Sequence, residues 1–310
     1  MKAFPTREAF GDIITELAKK DDRIVVIDCD ISKSCKTTKF AKTFPERHIN
    51  VGIAEQNAGT LAAGLATLGK IPFISTYAVF GSMRMCEQVR TSACYPGLNV
   101  KVACSHGGLT PGNDGVTHQA IEDLGIYRSI PGIAVIMPTD YWSTCRLVEK
   151  AVDYKGPVYL RFTRDAMMSY YGENEKFEIG KGKVLKEGKD ISMLFIGDML
   201  EQALKATEEL EKRGVSVELI DMHTLKPLDN ELVTASIAKT GKVITVEDHN
   251  YFNGLGSAVA EVIAERGKGI MRRVGLRDRY AESGDYKDLL KKYDMDSTAI
   301  IKRAEELLAL

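Results

Sequence analysis

The stretch Asn50-Val51-Gly52-Ile53-Ala54-Glu55-Gln56-Asn57-Ala58 sets a single acid at the head of an Ala/Gly/Leu-rich segment that reads as a helix to about residue 69. Glu55 would then lie in the first helical turn among apolar neighbours. There the helix dipole alone favours a carboxylate by ~0.3–1 kcal/mol. Towards the C-terminus lies Ser105-His106-Gly107-Gly108-Leu109-Thr110-Pro111-Gly112-Asn113-Asp114-Gly115-Val116-Thr117-His118-Gln119, a polar loop with four glycines and two of the chain's five histidines. Loops of this kind, held by a packed scaffold, are where function concentrates.

Composition bounds what such a loop can serve. With 310 residues, 44% hydrophobic and 27% charged, the chain has material for two domains with real cores. Its 42 basic and 43 acidic side chains give a formal net charge of -1. No bulk field draws it to nucleic acid or an anionic membrane, so any anion must be bound locally. The N-terminal residues lack the apolar core of a signal peptide and no run of apolar residues is long enough to span a bilayer, which points to a cytoplasmic protein. Six cysteines without a Cys-x-x-Cys pair read as reduced, mostly buried thiols, and the pattern offers no metal site.

The periodicity alternates around the two quoted stretches. Strands are expected at 24–28, 48–53, 71–76, 100–104, 133–137 and 158–162, with helices at 7–20, 55–69, 77–94, 119–127 and 141–152. Strands alternating with helices predict an α/β fold with a doubly wound, mostly parallel sheet. The loop Cys29-Asp30-Ile31-Ser32-Lys33-Ser34 follows a strand at its C-terminal end, where open parallel sheets bind ligands. Polar, glycine-containing sequence then suggests a linker, giving domains at 1–170 and 190–310 joined by 171–189. The second domain is a smaller α/β unit. It has strands near 191–196, 215–220, 243–247 and 271–274, and helices near 199–213, 255–266 and 298–308.

The order Thr6-Arg7, Asp30 to Ser34, Gly52-Ile53-Ala54-Glu55-Gln56, Tyr77 to Phe80, Asp114-Gly115-Val116-Thr117-His118-Gln119 and Thr163-Arg164 resembles the pyrimidine-binding domain of transketolases. Val246-Glu247-Asp248-His249-Asn250 and Asn253-Gly254-Leu255-Gly256-Ser257 are similar to the transketolase C-terminal domain. The resemblance covers nearly the whole chain in the family's order. Full-length members carry a further N-terminal domain whose Gly-Asp-Gly motif and later Asn bind magnesium and the diphosphate. Asn113-Asp114-Gly115 belongs to the polar loop by its neighbours, and Gly197-Asp198-Met199 is interrupted at its third position. The resemblance therefore implies the C-terminal half of a split transketolase. An N-terminal partner subunit would supply the magnesium and diphosphate site, with two copies of each chain in the assembly.

The activity so implied is thiamin-diphosphate-dependent transfer of a two-carbon ketol unit from a ketose phosphate to an aldose phosphate. Glu55 would bond a ring nitrogen of the coenzyme's aminopyrimidine and promote the tautomer whose exocyclic nitrogen takes the thiazolium proton. Tyr77 and Phe80, three residues apart, would supply the flat apolar slot. Met83 stands where family members commonly have a third aromatic. Asp30 resembles an acid on the coenzyme side. Arg7, Ser34, His106 and Arg164 would bind a sugar phosphate, for which arginine forks and a short hydroxyl donor are suited. Asp114 resembles the acid that reads a hydroxyl beside the reacting carbon. His118 resembles a catalytic histidine, able to exchange protons near neutrality. His223 reads as structural, and His249 as a residue that helps dock the partner. Two alternatives remain at this level: a subunit similar to deoxyxylulose-phosphate synthase, whose Gly-Ile-Ala-Glu-Gln segment is close to this one, and a non-catalytic scaffold. The synthases usually present an arginine near the position of His106. The β subunits of 2-oxo-acid dehydrogenases are more remote, because Asp-Gly-x-Thr-His is not their pattern.

Overall fold

In the computed structural model, which describes residues 3–310, the apolar runs form strands β1 (Ala3–Pro5), β2 (Ile24–Asp28), β3 (His48–Asn50), β4 (Ile71–Tyr77), β5 (Lys101–Ser105), β6 (Ala134–Ile136) and β7 (Val158–Arg161). These are followed by β8 (Ala166–Met168), β9 (Lys183–Lys186), β10 (Ile191–Phe195), β11 (Val217–Asp221), β12 (Thr224–Lys226), β13 (Lys242–Asn250) and β14 (Ile270–Leu276). The larger sheet has the order β12-β6-β7-β5-β4-β2-β3 and is parallel except at β12. The smaller has the order β14-β13-β10-β11-β9, antiparallel only at β9.

β2 and β10 are buried at every position, which is why they read as continuous apolar runs rather than alternating ones. On one face of the larger sheet Phe10 and Ile14 of the helix Thr6–Ala18 pack with Leu147 and Val148 of the helix Tyr141–Asp153. On the other face Ala58 and Ala62 of the helix Glu55–Thr67 join Met85, Val89 and Leu124. That layer continues without a break into Ile220, Leu225 and Val259 of the second unit. The two units therefore share a core. Among the described residues no helix is long and apolar enough to cross a membrane.

Three features differ from the sequence expectation. First, the segment 171–189 is not a free linker: Tyr171 and Phe177 are buried in the first core and Lys183–Lys186 forms β9. Polar residues dominate that segment by count, but a few spaced apolar side chains suffice to dock it. Second, β12 leaves the second unit to extend the first unit's sheet, Thr224 pairing with Ile136. Third, the helix expected over 77–94 is broken into Ala78–Met83, Cys86–Gln88 and a π-helical turn Val89–Cys94. The break at 84–85 drives Met85 wholly into the core and leaves Arg84 on the surface side.

Because β3, β2, β4, β5 and β7 run in parallel, the loops after them emerge at one sheet edge. Chain order reverses about β2, which places the crevice of a doubly wound sheet there.

Candidate active site

The candidate residues gather at this edge, on the turns and loops that follow the parallel strands. The turn after β3 opens the helix Glu55–Thr67 with Glu55, a carboxylate only 4% exposed. Tyr77 ends β4, and Phe80 follows one turn later. Their rings stack at 5.6 Å between centroids, with His106 3.8 Å from Tyr77. His118 closes the group edge-on to Phe80 at 5.6 Å. Residues far apart in the chain thus line one aromatic slot with an acid at its base.

Glu55 is not alone there. Arg84 Nη1 lies 3.1 Å from Glu55 Oε1, and the Arg84 guanidinium carbon sits 4.0 Å over the Phe80 ring. The slot thus accepts a flat, cationic group with in-plane N–H donors, and an aminopyrimidine meets the same requirement of a stacked face and an in-plane partner for the carboxylate. Arg84 was missed in the sequence, although its i, i+4 spacing from Phe80 on a helical turn was a usable signal. Cys29 lies close by. Burial, and then the Glu55 charge, push its thiol up to about 12, so it is a packed neutral thiol.

The second group of candidates surrounds His106, a non-glycine residue held at φ 64°. Arg7 Nη1 donates to the Ser34 carbonyl at 3.0 Å and to His106 Nε2 at 3.3 Å. A guanidinium has no acceptor, so Nε2 must be the accepting nitrogen and the ring proton lies on Nδ1. Nδ1 then donates to Ser105 Oγ at 2.8 Å. Burial, helped by Arg7 and Arg164, pushes His106 down to about 3. The expected phosphate ligand is therefore a neutral imidazole with both nitrogens engaged, and its effect is to orient Arg7. Ser34 is likewise met through its backbone oxygen.

Arg7 and Arg164 are brought together by a feature absent from the sequence reading. β1 and β8 pair antiparallel, Pro5 opposite Ala166, and Thr163 N donates to Thr6 Oγ1 at 2.7 Å. Burial and then Arg164 lower the Arg7 pKa. The Arg7 Nε is buried and has no hydrogen-bond partner among the described residues. Two cations held side by side with an unsatisfied donor have the chemistry to take an anion.

Arg164 donates to the Pro111 carbonyl at 2.6 Å and lies 3.8 Å from Asp114. Asp114, expected next to the reacting carbon, thus stands beside the arginine expected at the phosphate end. Asp30 has φ 65° and accepts from Asn50 at 3.0 Å, a bond at the mouth of the turn into Glu55 rather than within the aromatic group.

The second unit supports the polar loop from beneath. Asp248 accepts from Leu109 N at 2.7 Å, while Arg161 donates to the carbonyls of Asp248 and Ala120 at 2.8 and 3.1 Å. Gln119 donates to the Glu282 carbonyl at 3.1 Å. His249, expected at the partner surface, is instead wholly buried and accepts from Gly125 N at 3.2 Å. Its position near the end of β13, buried from residue 243 to 249, makes it a fastener between the two units. His223 is also buried, with Nδ1 3.0 Å from Thr224 Oγ1.

The domain models named "Transketolase, pyrimidine binding domain" and "Transketolase, C-terminal domain" match residues 2–169 and 180–300. The chain belongs to the transketolase family. A Methanocaldococcus jannaschii protein described as a transketolase C-terminal section is 46% identical over 303 residues, covering 97% of this chain and 95% of that one. The 6-deoxy-6-sulfo-D-fructose transketolase subunit SqwH of Clostridium sp. is 40% identical over 301 residues, covering 97% and 94%. A solved split-gene transketolase, described as an inactive beta4 tetramer, superposes with a TM-score of 0.93 at 45% identity over 99% of both chains. Transketolases of this divided kind match the present chain from end to end, so it is a transferase subunit of the family, dependent on a partner and on thiamin diphosphate.

Proposed function

We propose that this chain binds the aminopyrimidine of thiamin diphosphate and the sugar phosphate, while an N-terminal partner subunit holds the diphosphate and Mg2+. The observation that carries this reading is the slot itself: a buried carboxylate at a helix N-terminus, two stacked aromatic rings and a histidine at the open end. Thiamin diphosphate, when bound, supplies the carbanion chemistry that lets a two-carbon ketol unit pass from a ketose phosphate to an aldose phosphate. Glu55 holds a ring nitrogen of the coenzyme and fixes its protonation. Tyr77 and Phe80 orient the ring and exclude water from its faces. His118 is placed to exchange a proton with substrate oxygens, Asp114 to bind a sugar hydroxyl. Arg7 and Arg164 take the terminal phosphate, with His106 and the Ser34 carbonyl setting the angle of Arg7. Asp30 shapes the turn into Glu55 from the coenzyme side.

The partner's place is supported by three exposed apolar side chains around the slot. Ile53 is 76% exposed, Met83 50% and Val116 43%, and each lies within three residues of Glu55, Phe80 or His118. Large apolar groups crowding a polar site mark a face that another chain covers. The assembly proposed is two copies of each chain about a two-fold axis. The related tetramer described as inactive supports a half-site reading for a C-terminal chain by itself.

Calorimetry on the chain alone and on the chain with its partner tests this reading. No measurable uptake of thiamin diphosphate by the lone chain and magnesium-dependent uptake by the pair are expected, with light scattering giving two of each. Glu55→Gln should leave the assembly intact and lower turnover by ~10²–10⁴-fold, the usual effect of losing a proton relay. Tight, magnesium-dependent binding to the lone chain would reject the divided site.

A further inference from the structure

Arg84 already uses the two groups that the coenzyme ring needs. One of its nitrogens is 3.1 Å from Glu55 Oε1, and its guanidinium carbon is 4.0 Å over Phe80. A guanidinium is planar, carries its N–H donors in that plane and stacks on aromatic faces. An aminopyrimidine has the same flat face and the same in-plane polarity. The chain has thus placed a mimic of its ligand in the slot.

The energetics favour such an arrangement before loading and its reversal afterwards. Glu55 is 5% exposed at its side chain, and a buried carboxylate left unpaired is strongly unfavourable. Arg84 compensates it. The Arg84 side chain is itself 48% exposed, and among the described residues its guanidinium makes this one ion pair and no other hydrogen bond. Solvent on one side makes the pair weak enough to exchange. The backbone need not follow, because Arg84 N donates to the Phe80 carbonyl at 2.9 Å and the next residue, Met85, is anchored in the core. Only the side chain has to move, and water is available to receive it.

We propose that Arg84 is a built-in competitor of the coenzyme's aminopyrimidine, holding Glu55 and the Phe80 face in the unloaded chain and swinging out as the ring enters. The proposal rests on the thiamin-diphosphate reading of the slot. It makes Arg84 a determinant of coenzyme affinity: apparent binding is weakened by the fraction of slots that Arg84 occupies. Removing the competitor should then strengthen binding while depriving the lone chain of the counter-ion to Glu55.

The test uses the chain assembled with its partner, titrated with thiamin diphosphate at saturating Mg2+, for wild type, Arg84→Met and Arg84→Gln. Coenzyme binding is expected to tighten by roughly three- to tenfold in both variants, while each variant chain alone melts at a lower temperature than wild type. A residue that merely supports the fold, or that steadies Glu55 in the loaded site, would lower both quantities. Unchanged or weaker coenzyme binding by the variants therefore overturns the proposal while leaving the thiamin reading intact, whereas no uptake by the wild-type pair overturns both. Should the variants fail to assemble, the wild-type protein labelled at its arginine nitrogens decides. The Arg84 guanidinium resonance, assigned with Arg84→Lys, should move to a solvent-exposed position on loading, and a resonance that stays put removes the competitor.

Discussion

At the scale of single residues, the arginines after β1 and β7 act as a handle on the substrate rather than on the bond that breaks. Energy from such remote contacts appears mainly as affinity. Arg164→Ala is expected to raise KM for phosphorylated sugars, with a loss of roughly 1.5–3 kcal/mol for one charged hydrogen bond. An unphosphorylated donor such as hydroxypyruvate should be handled almost as well as by wild type. His118→Ala should impair both donors, because His118 faces the aromatic slot. Asp114→Ala tests the pairing with Arg164: at 3.8 Å it should share the dependence on phosphate that Arg164 shows. Steady-state kinetics with the two donors checks all three, and equal losses for Arg164→Ala on both would detach it from the phosphate.

At the scale of elements, the polar loop keeps its shape because two glycines lie against the buried side chains of Arg161 and Asp248. A β-carbon at Gly107 would stand 2.1 Å from Arg161 Nε. At Gly108, where φ is 59°, it would stand 2.1 Å from an Asp248 carboxylate oxygen. Neither neighbour yields readily, since Arg161 is fully buried, lies 3.3 Å from Asp123 and donates to two carbonyls, and Asp248 is fully buried and accepts from Leu109 N. Gly107→Ala and Gly108→Ala should each lose about 2 kcal/mol or more, from overpacking and, at Gly108, from a disfavoured φ. Gly64, in the helix Glu55–Thr67, has no neighbour among the described residues within 4 Å of its position for a β-carbon. Gly64→Ala should instead gain ~0.5–1 kcal/mol from the reduced entropy of the unfolded chain and better helix propensity. Urea unfolding of the three variants reads the opposite signs directly.

At the scale of the whole molecule, the second unit holds buried ionisable groups whose linkage to pH can be separated. Burial holds His223 and His249 down to about 4, against an ordinary value of 6.5. Each stays neutral in the fold while the unfolded chain takes up a proton, so their contribution is complete above about pH 6.5 and is lost as pH falls towards 4. Asp221 and Glu247, raised by burial to about 7, act in the opposite sense. Their contribution is complete below the ordinary carboxylate range and is lost as pH rises through about 7. The two sets offset each other in the wild type. His249→Gln should therefore reduce the stability lost between about pH 6.5 and 4.5 by ~2 kcal/mol. Denaturation curves of variant and wild type at the two pH values give the difference, and identical slopes would contradict it.

Local pattern was enough to determine the α/β class, the parallel sheet, the acid at the head of the helix and the family. Continuous apolar runs, a 3.6-residue period and motif order are all carried by neighbouring residues. The same holds for the slot's candidates: Glu55 opens a helix, and Tyr77, Phe80 and His118 stand in the motif order that resembles the family's. Only tertiary structure decided what these residues touch. The short ladder of β1 with β8 joins residues more than 160 positions apart and thereby sets Arg7 beside Arg164. β12 crosses to the other unit's sheet because its backbone groups need partners there. His106 reads as a phosphate ligand in isolation, yet burial and the donating Arg7 leave it neutral. Arg84 reads as a surface cation until the break after Met83 lays it over Phe80 and against Glu55. Charge state and partner choice depend on burial and on distant neighbours, and neither quantity is encoded at the position of the residue itself.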